Sequence, residues 1–318
     1  MISDRQVMNN PPLMMDVDTG VDDALAIALA IQSDTNLVGV STVSGNVSID
    51  LATENSLRVL SWMGAESVPV HRGASWPLAV DNQDAAHVHG ENGLGGAELP
   101  KSAGSESRIG GVEALLANAV RYDGELVLVA LGPLTNLAIA LSLRPALARQ
   151  IRTLVIMGGA YFVPGNVTPH AEFNAFADPH ACGQVLRADW NEIIAVGLDV
   201  THQTIISSEQ WEATPDDATG ATGLVKRITG RTFNERKLDG FYLHDPLALA
   251  VAFHPDLVET EPSSVSVDVD ERRGKMTPHH GGSVNIATSV DGERFEAEFA
   301  RLMGISSKRT DVDPASAE

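Results

Sequence analysis

The stretch Met14-Met15-Asp16-Val17-Asp18-Thr19-Gly20-Val21-Asp22-Asp23 decides how the rest of the chain is read. A short apolar run, Leu13 to Met15, leads into it, and a long one, Ala24 to Ile31, leads out. That order predicts a buried parallel strand followed by a buried helix. Asp16, Asp18, Asp22 and Asp23 then fall on the tight turn between them, with Gly20 easing the bend. In open α/β sheets, ligands bind at the carboxyl ends of the strands. Carboxylates this crowded repel one another unless a cation sits among them. Such oxygen-rich ligation suits Ca²⁺ or Mg²⁺ better than zinc. Helix capping by Asp22 and a favourable dipole at Asp23 would account for two of the acids. Asp16 and Asp18 would be left without a reason.

Outward from this turn, the composition narrows the classes. The 318 residues fit one large α/β domain, and an apolar fraction of 43% is enough for its core. A formal charge of −20 argues against nucleic acid or an anionic membrane as partner. The single cysteine, Cys182, rules out an internal disulfide framework and fits a reducing compartment. No apolar run approaches the roughly 20 residues that span a bilayer. The N-terminus lacks the pattern of a signal peptide, so a soluble, cytoplasmic protein is expected.

Further strands are expected at Leu37–Val43, Val68–His71, Glu125–Leu131, Ile151–Met157 and Ile193–Gly197, with helices between them. A weaker β region covers Val265–Val269 and Ser283–Ala287. The stretch Ser207–Asp239 reads as helical apart from a break around Pro215–Gly223, and Glu293–Met303 as an amphipathic helix. The β-α-β order predicts right-handed crossovers. The expected fold is thus α/β: an open, mostly parallel sheet flanked by helices, with the active site at the C-terminal ends of the strands. Residues 12–305 form one domain, 1–11 a flexible lead-in and 306–318 a disordered tail.

The polar residues just beyond these strands converge. They are the acidic turn, Asn46, His89, Asn166, Glu172, Asn174 and Asp245, and acids and amides outnumber bases among them. Such a crevice suits a cation with a polyhydroxyl ligand. It does not suit phosphate, because no Lys, Arg or glycine-rich nest stands beside these residues. His87 and His89 alone make a weak metal pair.

Taken together, the motifs resemble the inosine-uridine-preferring nucleoside hydrolase family over about residues 12–303. The resemblance rests on Asp16-Val17-Asp18-Thr19-Gly20-Val21-Asp22-Asp23-Ala24, Gly45-Asn46-Val47 and His89-Gly90-Glu91-Asn92-Gly93-Leu94-Gly95-Gly96. It continues through Leu131-Gly132-Pro133-Leu134-Thr135-Asn136, Met157-Gly158-Gly159, Asn166 to Asn174 and His244-Asp245-Pro246-Leu247-Ala248. Thr19 departs from the proline that many relatives carry there, which should alter turn rigidity more than chemistry.

The resemblance implies Ca²⁺ held by Asp18, Asp23, Asp245 and the main-chain carbonyl of Leu131. It implies Asp22, Asn46, Asn166, Glu172, Asn174, Met157 and Phe173 as substrate-facing residues, with Asp16 in support. Asp18 would act as general base on a metal-bound water, and His244, with His89, as acid for the leaving base. The implied partner is a small ribonucleoside, and the implied assembly a homodimer or homotetramer. Keeping both histidines resembles the inosine-uridine or pyrimidine branch.

Two rivals remain at this level. An aspartyl phosphatase would need a downstream Lys and a phosphate cradle. A non-catalytic Ca²⁺-dependent ribose-binding protein would have no use for an intact Asp18 and His244. An EF-hand fails because Ile27 stands where a loop beginning at Asp16 needs its closing Glu.

Overall fold

Strand β1, Pro12–Val17, lies within a nine-stranded sheet and alternates its side chains between the two cores. Leu13, Met15 and Val17 enter one apolar cluster and Met14 the other, all with essentially no exposure. The computed structural model describes residues 10–306. The tail expected at 306–318 and the lead-in at 1–11 therefore lie almost entirely outside the described residues.

The other strands are β2 (Asn36–Thr42), β3 (Val70–Arg72), β4 (Leu126–Ala130), β5 (Ile151–Met157) and β6 (Ile193–Val196). They are followed by β7 (Ile205–Ser207), β8 (Gly240–Tyr242), β9 (Val258–Val267), β10 (Met276–His280) and β11 (Val284–Val290). The sheet order is β10-β9-β11-β6-β5-β4-β1-β2-β3. From β11 to β3 every pairing is parallel, and β9 pairs antiparallel with both β10 and β11. After β1 the chain runs outward through β2 and β3, then returns to place β4 on the other side of β1. The carboxyl ends of β1 and β4 thus flank a topological switch point, where a crevice opens between diverging connections. The helix Val21–Gln32 is buried from Val21 to Ala30, as its unbroken apolar run predicts.

Two expectations need correction. The late β region is larger than anticipated, because β9 begins at Val258 and β10 was not foreseen. Glu259, Glu261 and Pro262 hide β9 from a search for apolar runs, yet an antiparallel strand with a wet face accommodates them. Pro278 likewise sits on β10, which is an edge strand. The stretch Ser207–Asp239 is also not a broken helix alone. It opens with β7, which pairs antiparallel with β8, and encloses helices Ser208–Glu212 and Gly220–Ile228 and a π-helical turn, Arg231–Glu235.

Candidate active site

Asp18 and Asp23 are locked into one hydrogen-bonded unit with Asn46. The Asp18 carboxylate accepts from the Asn46 backbone N–H at 2.6 Å and from its side-chain amide at 3.1 Å. The same Nδ2 reaches Asp23 at 3.1 Å, and Asp23 also accepts the backbone N–H groups of Asp18 (3.1 Å) and Gly20 (2.9 Å). Gly20 itself has an ordinary extended backbone, φ −89°. Its lack of a side chain serves space rather than bending: a Cβ there would stand 2.6 Å from His89 Nδ1 and 2.9 Å from Asn46 Nδ2. Asp16 lies beneath, where Ser41 Oγ and Asn136 Nδ2 (2.8 Å) hold one oxygen and the other has no partner among the described residues.

From the opposite side, the helix His244–Phe253 brings Asp245 into the same space. Oxygens of Asp22, Asp23 and Asp245 lie within 4.8 Å of one another, all buried. Burial raises every carboxyl group here, Asp16 to about 7 and Asp22 and Asp23 to about 6. Asp18 and Asp245 are pushed well up by burial and then by their acidic neighbours. Among the described residues no N–H or hydroxyl donates to the buried Asp245 Oδ2, which faces the other carboxyl groups. An all-oxygen cluster with an unsatisfied lone pair fits a hard divalent cation.

The chain as a whole is similar to known proteins. The family model described as inosine-uridine preferring nucleoside hydrolase matches residues 13–297. The chain belongs to this family. It is 35% identical, over 93% of its length and 99% of the relative's, to the non-specific ribonucleoside hydrolase RihC of Escherichia coli (strain SE11). It is 36% identical to a probable uridine nucleosidase 2 of Arabidopsis thaliana, over 77% of this chain and 78% of that one. Among solved structures, a purine-preferring ribonucleoside hydrolase from Gardnerella vaginalis superposes with a TM-score of 0.86 at 34% identity. That match covers 92% of this chain and 98% of the other. The chain is accordingly a hydrolase of N-glycosyl compounds.

Around the carboxylates of this nucleoside hydrolase, amides and histidines complete the crevice. Asn174 Nδ2 donates to the carbonyls of Leu131 (2.6 Å) and Met157 (3.1 Å), so it ties the ends of β4 and β5 together. Glu172 caps the short helix Phe173–Ala177 and accepts three backbone N–H groups, from Gly159, Asn174 and Ala175. Asn166 is exposed on its loop and accepts the Phe173 N–H at 3.1 Å, while Phe173 is half-buried and Met157 buried. The backbone therefore already occupies much of the polar capacity of Glu172, and one acceptor position of Asn166.

His89 closes a single helical turn, Ala86–His89, and its Nδ1 accepts the Val21 N–H at 3.1 Å. A backbone N–H can only donate, so the hydrogen of neutral His89 must be on Nε2. Burial lowers its pKa to about 4. His87 is exposed and does not join it in a metal site. His244 Nδ1 bonds Thr201 Oγ1 at 2.7 Å, and burial lowers its pKa to about 3. Both histidines are neutral at pH 7.

Sequence reading missed several neighbours. Thr201, His202 and Tyr242 surround His244, with the His202 and Tyr242 rings 5.6 and 5.4 Å from its centroid. The dipeptide Thr201-His202 just past β6 was the available signal. Cations are also closer than the strand ends suggest. Arg231 Nη2 approaches the His87 carbonyl at 3.5 Å, and the charge of Arg236 helps depress His89. They arrive on the π-helical turn, far along the chain from the acidic motif.

Proposed function

We propose that this chain hydrolyses ribonucleosides of the inosine and uridine type in a Ca²⁺-dependent reaction, releasing ribose and the free base. The observation that carries this reading is the buried acidic cluster with its unpartnered Asp245 oxygen, lying beside two neutral histidines. Asp23 and Asp245 would hold the ion, with Asp18 and the Leu131 carbonyl as its further protein ligands. A bound Ca²⁺ would supply positive charge that gathers the ribose hydroxyls and makes a water more acidic.

The remaining work falls to this chain's own side chains. The Asp22 carboxylate accepts the Asp23 N–H at 3.2 Å and keeps a little exposure, so it can also accept a ribose hydroxyl. Asn46 fixes Asp18 through two bonds, and Asp18 takes the proton of the attacking water as general base. As the N-glycosidic bond breaks, positive charge grows on the sugar and negative charge on the departing base. The carboxylates stabilise the former. The latter falls to His244 and His89, of which His89 can offer only Nε2–H. Asn174, Asn166, Glu172, Met157 and Phe173 shape the sugar side.

The test is ribose release from inosine and from uridine, with and without a calcium chelator. Release abolished by chelation and restored by Ca²⁺ is expected. Release untouched by chelation would overturn the metal assignment, and ribose binding without release would favour the non-catalytic reading. Relatives that differ in their named base preference, one a uridine nucleosidase and one purine-preferring, make the two rates the measure of selectivity. We also infer a homodimer or homotetramer and a cytoplasmic setting, which sedimentation and fractionation would check. Among the described residues no helix is long and apolar enough to cross a membrane.

A further inference from the structure

His89 and His244 are held by partners of different chemistry, and that difference has a consequence for what His244 can present to a ligand. His89 receives the Val21 backbone N–H, which leaves no choice of tautomer. His244 faces the hydroxyl of Thr201 at 2.7 Å, and a hydroxyl can donate or accept. If Thr201 donates to Nδ1, the hydrogen of neutral His244 resides on Nε2. If Thr201 accepts from Nδ1–H, Nε2 is bare and can only accept.

The surroundings of Thr201 decide between these. Thr201 ends the short helix Leu198–Thr201 and has no exposure. Its N–H donates to the Gly197 carbonyl at 3.1 Å, and its carbonyl accepts from the N–H and hydroxyl of Thr204, each at 3.2 Å. Its hydroxyl bonds His244 and no other group among the described residues. Were that hydroxyl to accept from His244, its own hydrogen would be buried without an acceptor. When it donates, its hydrogen is satisfied and only acceptor capacity on its oxygen goes unfilled, which costs less than an orphaned buried hydrogen. We infer that Thr201 is a positioning residue: its hydroxyl donates to His244 Nδ1 and thereby fixes His244 as an Nε2–H donor for the departing base. Both site histidines then present the same nitrogen with the same hydrogen, His89 through a helix N-terminus and His244 through a buried threonine. Thr201 touches neither sugar nor base and acts through the ring it orients. The inference rests on the proposed role of His244 toward the leaving group.

The experiment compares the wild-type full chain in Ca²⁺ with Thr201→Val, which keeps the shape and removes the hydroxyl, and Thr201→Ser, which restores it. Two substrate types separate the steps. Nucleosides need help for the departing base, whereas 4-nitrophenyl riboside expels a stable phenolate unaided. For Thr201→Val, kcat on inosine and uridine should fall about 10- to 100-fold with KM little changed, the scale of a lost acid-side contribution. Its rate on 4-nitrophenyl riboside should stay within about twofold of wild type, and Thr201→Ser should recover most of the nucleoside rate. In nitrogen-15 spectra of the histidine rings, wild-type His244 should show an unprotonated, hydrogen-bonded Nδ1, and Thr201→Val a mixture of tautomers.

Three results would overturn the inference: unchanged nucleoside kinetics in Thr201→Val, equal losses on both substrate types that serine does not rescue, or a protonated Nδ1 in the wild type. If the wild type cleaves neither substrate type, the hydrolysis reading itself fails. The ring spectra still decide the tautomer in that case.

Discussion

The floor of the crevice and its rim are built on opposite plans. The floor comes mostly from one short turn, Asp16 to Asp23, whose Asp18 and Asp23 carboxylates are gripped by backbone N–H groups of the turn and by Asn46 just past β2, and Asp245 completes it from helix His244–Phe253. The rim comes from two distant segments, the glycine-rich loop after His89 and the unit running from β7 to β8. Side chains hold the loop down: Asn55 Nδ2 donates to the carbonyls of Thr19 at 3.1 Å and of Asn92 at 2.9 Å. The floor is charged and stores repulsion, while the rim is aromatic and nearly neutral at its histidines. Charge that waits for a cation thus borders directly on the neutral rings that meet the base, with His89 Nδ1 3.9 Å from Asp22.

Breaking the floor should have the largest effect, with opposite signs on function and stability. In Asp245→Asn the unpartnered oxygen and one negative charge are lost together. Nucleoside hydrolysis should drop at least about 1000-fold, the counterpart of several kcal/mol of charge stabilisation. Calorimetric titration should show weakened Ca²⁺ binding. The metal-free protein should nevertheless melt at a higher temperature than wild type, since burial and four acidic neighbours oppose ionisation of Asp245. A variant that is both inactive and less stable would show that Asp245 is a structural acid.

A smaller effect follows from pH. With Asp16 raised to about 7 and Asp22 and Asp23 to about 6, the metal-free folded chain binds protons that the unfolded chain, with aspartates near 3.8, does not. Unfolding therefore releases protons, and stability should rise as pH falls from about 7.5 towards about 5, the reverse of an ordinary ion-paired carboxylate. Saturating Ca²⁺ should remove this trend, because it stabilises the ionised form and is lost on acidification. Thermal melts across that range, with chelator and with Ca²⁺, would show the two slopes. Parallel slopes would mean that the ion does not bind these acids.

The contrast also explains what was legible in the sequence. The floor could be read because its parts are local: an apolar strand, four acids and an apolar helix in under twenty residues. The parallel strands β1 to β6 were visible for the same reason, since burial on both faces leaves continuous apolar runs. Gly20 was noticed but misread, because its role is set by His89, 69 positions along the chain (89 − 20). Tyr242 and Arg236 carried no local signal, and Thr201 only its place just past β6; they matter once β6, β8 and the π-helical turn are brought around His244 and His89. Glu172 was placed at the site, but its capping of Phe173–Ala177 was not foreseen, because five residues leave too short a pattern to reveal a helix.

The rim offers the gentlest test, at the point where its two segments touch. Gly95 has φ +62°, and a Cβ there would collide with the carbonyl of Ile228 at the end of helix Gly220–Ile228. Gly95→Ala would strain the backbone and push the two segments apart together. The expected loss is about 1–3 kcal/mol of stability, seen as a lower denaturant midpoint. Because Asn46, and not the rim loop, fastens the carboxylates of Asp18 and Asp23, Ca²⁺ affinity should hold while KM for nucleosides rises more than kcat falls. If the alanine variant lost Ca²⁺ affinity as well, the two regions would be one mechanical unit. The separation drawn between charged floor and neutral rim would then fail at the glycine that joins the rim's halves.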